Sequence, residues 1–398
     1  MLKKYPKPFY KMSDNNISPH YTMNVQNIYL SSKPHYEILD GLRGVAAAMV
    51  VAFHLLEAPS GSNHLNQIIN HGYLAVDFFF MLSGFVIGYA YDDRWNRMSM
   101  GTFFKRRLIR LQPMVVMGSI VGAALFWFQK APCYPAMEGV SVGALLLVML
   151  LGCTLLPLPL KWDIRGWMEM HPLNGPSWSL YYEYIGNILY ALFIRKFSKT
   201  ALTVLVAIAA CFTVHRCLTA PAGDIVGGWA LNWEQQYVGL VRLMYPFFGG
   251  LLLSRLGWLI RTRKNAFGWC SLMIIAVLSA PRIGGKDGYW MNGLYEAFCI
   301  ICIFPVIVSM GAGGRITGRR SAAVCKFLGD ISYPVYITHY PLVYIYTAWA
   351  FNRQATLAEG LPYMLLTFVG AFALAYACLK CYDLPVRKWL TERFLKKK

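Results

Sequence analysis

Apolar stretches of about 18 to 22 residues recur from residue 37 to the C-terminal region, each long enough to cross the ~30 Å hydrocarbon layer of a bilayer. Lipid offers no partner to an unpaired backbone group, so such stretches must be helices. A chain of 398 residues could otherwise fold as two or three soluble domains, but 57% hydrophobic and only 14% charged residues leave too little polar surface for that. Candidate spans are 37–56, 71–91, 111–129, 141–160, 177–194, 200–218, 236–254, 266–281, 292–311, 327–350 and 361–381.

The excess of 38 Lys and Arg over 19 Asp and Glu, a formal charge of +19, would suit a nucleic-acid binder, so the position of the charges decides. They cluster between apolar segments: Lys3, Lys4, Lys7, Lys11 and Lys33 at the start, then Arg94 to Arg110, Arg195 to Lys199, Arg255 to Lys264, Arg315 to Lys326 and Lys380 to Lys398. That is the pattern of cytoplasmic loops, and no nucleic-acid partner is expected. If all eleven candidates crossed, every cluster from Arg195 onward would fall outside. Letting 111–129 or 141–160 re-enter or lie flat returns them to the cytoplasm, and the Pro157/Pro159 pair makes 141–160 the weaker span.

The expected fold is therefore an all-α integral membrane bundle of about ten transmembrane helices with one candidate re-entrant segment and both termini cytoplasmic. Residues 1–35 are polar, basic and without an apolar signal core, so an uncleaved, disordered tail is expected there. Residues 36–382 form the membrane domain and 383–398 a basic C-terminal tail. The outer segment around 161–176 is expected to lie outside the membrane. GxxxG spacings at Gly118/Gly122 and Gly139/Gly143 read as close helix contacts. Cys299/Cys302 and Cys378/Cys381 are isolated pairs within apolar stretches, better suited to packing than to a metal.

Ionisable groups inside a bilayer cost about 2.5–3.5 kcal/mol each on insertion scales, so those present need a reason. Arg43 and His54 are eleven positions apart, close to three helical turns and about 16 Å of rise, which puts them on nearly one face at opposite depths. Snorkelling of Arg43 and simple capping by His54 are the bland readings. Asp77, near the outer end of the second span after His71, is placed to orient or charge-pair His54; a carboxylate favoured by the helix dipole is the alternative. Lys105, Arg106, Arg107 and Arg110 make an inner basic cassette suited to lipid headgroups or to the phosphates of a cytoplasmic cofactor. Glu183 in PSWSLYYE enters a span about one and a half turns deep, and a buried carboxylate there should find a partner. In LGDISYPVYITHYP two prolines should kink the helix near His339, a mid-span imidazole.

The ordered set LDGLRGVAAAMVVAFH, FFFMLSGFVIGY, FFKRRLIRLQP, PSWSLYYE and LGDISYPVYITHYP resembles the acyltransferase-3 family of membrane acyltransferases, which acylate surface polysaccharides, lipopolysaccharide and related glycans. The resemblance runs over about residues 36 to 390 and includes the Arg-x10-His pair Arg43/His54 and an Arg-x2-Arg at Arg107/Arg110. One departure is Asp383, in Tyr382-Asp383-Leu384-Pro385-Val386-Arg387, where the family pattern has Glu; the charge is kept and little effect is expected. No fused hydrolase-like domain, which some relatives carry, is expected.

The resemblance implies an acyl-CoA co-substrate, usually acetyl-CoA, reached from the cytoplasm, a glycan or glycolipid acceptor, no permanently bound cofactor and a bacterial inner-membrane location. Arg43, Arg106, Arg107 and Arg110 are expected to hold the donor. His54 acts as base or acyl relay, with Arg43, Asp77 and Glu183 in the catalytic set and Ser83, Trp178, Ser179, Ser332, Tyr333 and His339 as substrate or structural support. A transporter or flippase of a lipid-linked sugar also has about ten helices with kinking prolines and intramembrane charge, but no inverted repeat is visible. His35 and Asp40 match the His-x4-Asp spacing of glycerolipid acyltransferases, without the soluble α/β domain that motif belongs to.

Overall fold

Helices begin where a side chain can accept from a free N–H and end where the chain turns left-handed or meets glycine and proline. Ser99, Ser141, Ser198, Asn232 and Thr356 each cap the N-terminus of a helix, Thr356 reciprocally with Glu359, and Gly257 at φ +68° ends the helix that Asn232 begins. A computed structural model describes residues 33, 35–61, 63–262, 264–285, 288–316 and 318–395. The expected disordered tail, apart from Lys33 and His35, and the last three lysines lie outside the described residues.

The described residues are helical, with no strand among them. The helices are α1 (Glu37–Leu55), α2 (Ala75–Tyr91), α3 (Met100–Leu125), α4 (Val142–Gly152), α5 (Ser177–Leu192), α6 (Lys199–Thr219), α7 (Trp233–Leu256) and α8 (Ala266–Ser279). They continue with α9 (Tyr289–Phe298), α10 (Phe304–Gly313), α11 (Arg319–Thr338), α12 (Tyr340–Arg353), α13 (Leu357–Cys378) and α14 (Leu384–Phe394). Two π-helical turns, Cys299–Ile303 and Leu379–Asp383, join α9 to α10 and α13 to α14; the first contains both Cys299 and Cys302, and the second contains Cys381, with Cys378 just before it at the end of α13.

Among the described residues, seven continuous helices are long and apolar enough to cross a membrane: Glu37–Leu55, Gly72–Tyr91, Met100–Gln129, Lys199–Thr219, Trp233–Leu256, Tyr289–Gly313 and Leu357–Phe394. The other three crossings expected from the sequence coincide with α5, α8 and α11–α12, which are shorter or more charged. The structure separates the two doubtful spans. Residues 111–129 belong to a 30-residue helix, whereas 141–160 yields only the 11-residue α4, about 16 Å long or half a bilayer.

Close crossings at glycine hold the interior together. Gly44 presses on Leu328 and Gly329 on Asp40, so α1 and α11 meet backbone to backbone. Gly84 of α2 and Gly250 of α7 do the same against Phe247 and Met81. Of the two GxxxG pairs, Gly118/Gly122 abuts Ile337, Asn174 and Leu173, while Gly139 has open space and Gly143 meets little beyond Ser141, so the second pair makes no helix contact. The sequence spacing was met by chance there, in a turn and the exposed start of α4.

The chain packs as two apolar clusters on either side of α1. Ile38, Leu39, Leu42, Ala46, Val50 and Phe53 face one, and Ala47, Val51 and Leu55 face the other. At 100° per residue, Arg43 and His54 fall along the line where those two faces meet, and Glu57 follows in the turn after the helix. The polar stripe of α1 therefore runs up the seam between the clusters.

α4 lies alongside α3, tied by Ser119 Oγ to the Met149 carbonyl at 2.8 Å and by Gln112 Nε2 to the Cys153 carbonyl at 2.5 Å. After α4 the chain turns at Leu155, whose φ is +62°, and returns as irregular backbone. Residues 169–180 of this return are buried within the protein, while Lys161, Trp162, Gly166 and Met168 are exposed. Buried irregular backbone must find its hydrogen bonds within the protein. Pro341 has no N–H to give to the carbonyl four residues back, Ile337, and Asn174 Nδ2 of the irregular segment takes that place at 2.8 Å. The kink expected from the two prolines is thus a break at His339, between α11 and α12. Pro334 stays within α11.

Candidate active site

The upper end of the seam carries the imidazoles. His54 Nδ1 lies 2.9 Å from Glu57 Oε1, one turn later on the same face, and the ring is partly open to solvent. With the proton on Nδ1 and donated to Glu57, the Nε2 lone pair is free to accept another. His339 stacks on His54 with ring centroids 5.6 Å apart, and Tyr340 meets His54 edge-on at 4.7 Å. His339 is fully buried; its Nδ1 donates to the Val335 and Tyr336 carbonyls at 3.0 and 2.9 Å, and its Nε2 has no partner.

The lower end is cationic. Arg43 pairs with Asp40 at 3.1 Å and Arg107 with Glu183 at 2.7 Å, while Ser83 donates to the same Glu183 oxygen at 2.9 Å. Arg110 stands within electrostatic reach of Arg43, Arg107 and Arg387, and Arg387 pairs with Asp383 at 2.9 Å. Arg106, one turn before Arg110 on α3, makes no hydrogen bond or ion pair among the described residues.

Several buried and half-buried hydroxyls lie on the helices around the seam. Tyr184 donates to Gln112 at 2.9 Å, Tyr333 to the Leu111 carbonyl at 2.7 Å, and Ser179 and Tyr336 share a hydrogen bond of 2.7 Å. Tyr333, Tyr336, His339/Tyr340 and Tyr344 recur every three or four residues along α11–α12, so they stack up one face. Ser332, in contrast, bonds back to the Gly329 carbonyl of its own helix at 2.8 Å.

Two of the expected partners of His54 are engaged elsewhere. Asp77 is fully buried and forms a two-pronged pair with Arg242, at 2.7 and 3.3 Å, because the α2–α7 crossing brings them face to face. Arg242 also donates to the Gly227 and Tyr73 carbonyls and lies 5.0 Å from the centre of the Trp178 ring, so Trp178 belongs to this structural lock. Glu183 serves Arg107, toward the cationic end of the seam.

The residue that does pair with His54, Glu57, was legible as an i, i+3 neighbour. It was passed over because the candidate span ends at 56.

A second missed group lies just beyond Tyr340. Tyr344, 4.5 Å from Tyr340, donates to both oxygens of Glu169 at 2.7 and 2.6 Å. Arg165, wholly buried, lies 3.6 Å from Glu169, 3.4 Å from the Tyr344 ring centre, and donates to Gln129 and to the Pro172 carbonyl. Burial pushes the Glu169 carboxyl up to about 8, against the opposing pull of Arg165 and Tyr344. An acid held protonated in the folded protein but ionised when unfolded makes stability fall as pH rises between the two values. The slope approaches roughly 1.4 kcal/mol per pH unit from about pH 4.5 to about 8. Glu169→Gln is accordingly expected to flatten the decline of melting temperature across pH 5 to 8. A mutant whose decline matches wild type would mean that Glu169 is ionised throughout.

Comparison with known proteins follows from this geometry. Residues 36–379 match a family model described as an acyltransferase domain. The chain is 29% identical over 187 residues to "Protein 2 in picA locus" of Rhizobium radiobacter, covering 45% of this chain and 93% of that protein. It is 26% identical to acyltransferase MdmB of Streptomyces mycarofaciens, covering 77% and 78%. It is 22% identical to O-acetyltransferase OatA of Staphylococcus aureus over 88% of this chain, which spans 57% of that protein's length. No solved structure matches.

Proposed function

This chain belongs to the acyltransferase-3 family and is a membrane acyltransferase, and from that premise we propose that it moves an acetyl group from cytoplasmic acetyl-CoA to a glycan hydroxyl on the far side of the bilayer. The observation that carries this reading is the seam itself, with a guanidinium cluster at one end and a carboxylate-oriented imidazole at the other, about 16 Å apart along α1. Arg43, Arg107 and Arg110 take the donor phosphates as charge-assisted bonds, and the thioester extends up the seam toward His54. His54 Nε2 removes the proton of the acceptor hydroxyl, and the oxygen attacks the thioester carbonyl. As the C–S bond breaks, the departing thiolate takes that proton from His54. Glu57 holds the tautomer and stabilises the imidazolium in between.

Basic loops on one side support cytoplasmic termini in a bacterial inner membrane, and the acetyl group is favoured by the O-acetyltransferase name of one relative. Purified, lipid-reconstituted protein is expected to release thiol from acetyl-CoA faster when an extract of surface glycans is present. Release unaffected by any glycan, or consumption of a different donor, would refute the reading. Uptake of a lipid-linked sugar without thiol release would point instead to transport.

A further inference from the structure

We propose that Arg387, on the helix that carries the chain out of the membrane at its C-terminal end, reads the 3′-phosphate of the acyl-CoA donor and sets its specificity for phosphorylated CoA. The proposal rests on the acyl-CoA reading above. Four guanidiniums, Arg43, Arg107, Arg110 and Arg387, converge from α1, α3 and α14, but only three carboxylates face them, and each holds a different one: Asp40, Glu183 and Asp383. Arg110, in the middle, has no hydrogen bond or ion pair among the described residues. Like charges crowded around an unpaired guanidinium repel, and a polyanion is the chemistry that would relieve them.

Their accessibility orders the phosphates. Arg107 and Arg43 are 6% and 18% exposed, whereas Arg387, at 37%, and Arg110 are open to solvent. A thioester directed inward to His54 leaves the pyrophosphate, next along the donor, at the deeper arginines. The ribose 3′-phosphate, farthest from the sulfur, then sits at the rim, where Arg387 and Arg110 stand and where Arg387 is the one held in place by a carboxylate. Asp383 is almost wholly buried and closes the π-helical turn before α14; its carboxylate holds the Arg387 guanidinium one turn on at 2.9 Å, so the fork is oriented before any ligand arrives.

The test compares acetyl-CoA with 3′-dephospho-acetyl-CoA as donors for the reconstituted full chain. A charged hydrogen-bonding contact of this kind corresponds to about 10- to 100-fold in KM. Wild type is expected to show that rise in KM on loss of the 3′-phosphate, with kcat within about twofold. Arg387→Ala should show the same rise with acetyl-CoA itself and then no longer distinguish the two donors; Arg387→Lys, which keeps the charge without the fork, should fall between. Binding of adenosine 3′,5′-bisphosphate to the purified proteins gives the same comparison without turnover. A wild type indifferent to the 3′-phosphate, or an Arg387→Ala or Arg387→Lys protein with full wild-type discrimination, would overturn the assignment while leaving acyl-CoA as donor. Turnover with neither donor in wild type would overturn the donor reading itself, and this inference with it.

Discussion

Lipid-reconstituted His54→Ala protein is expected to insert and melt like wild type while losing about 10²- to 10⁴-fold in acetyl transfer, the usual worth of a positioned general base. The expectation follows from three features of one site: a ring nitrogen fixed on Glu57 at 2.9 Å, an opposite nitrogen left to accept a proton, and a partly solvent-open edge by which an acceptor can arrive. Glu57→Gln is the companion experiment. An amide in place of the carboxylate neither favours the required tautomer nor stabilises the imidazolium, so kcat should drop by roughly tenfold to 10⁴-fold with donor KM little changed. Correctly inserted His54→Ala protein turning over near the wild-type rate would remove His54 from the chemistry.

Asp77→Asn should act through the fold. Asp77 and Arg242 are 0% and 2% exposed, and removing one charge leaves the other buried without its partner, at a cost of about 3–5 kcal/mol. Against a total stability of about 5–15 kcal/mol, that is enough to lower melting temperature and yield sharply. Replacing both, as Asp77→Leu with Arg242→Met, should recover much of the loss, because two apolar side chains need no counter-charge. Asp77→Asn protein with unchanged melting behaviour but abolished turnover would return Asp77 to the catalytic set. Melting in detergent and thiol release, measured on the same preparations, separate the outcomes.

These two residues also show where the sequence was readable. The Arg43–His54 relation needed only the helical period, and the structure adds that their stripe lies between two apolar clusters. Helical class, membrane character and the weakness of 141–160 as a span were likewise local properties of length, hydropathy and proline. The partner of Asp77 was not local: Arg242 is 165 positions away and meets it only because two glycine faces let α2 and α7 close together. The burial of residues 169–176 within the protein was hidden for a related reason. Their Pro, Gly, Asn and His content is that of a surface loop, and what makes them tolerable inside is supplied by α3 and the α11–α12 break, neither adjacent in sequence. Glu169 and Arg165 were therefore missed, since a single chain offers no sign that such a loop is buried. Gly139/Gly143 failed the other way, a local motif with no neighbour to meet.

The hydrogen bond from Asn174 to the Ile337 carbonyl has a consequence for how the protein is made. It joins residues 163 positions apart, and each closes a gap in the other's surroundings: a bare carbonyl opposite a proline, and an amide within irregular backbone. At ordinary rates of synthesis the partner of Asn174 emerges roughly 10 to 30 s after it. Through that interval the irregular segment after α4 lacks the partner that its folded position supplies. Its polar groups must be satisfied by water or by the insertion machinery until α11 and α12 arrive to complete it.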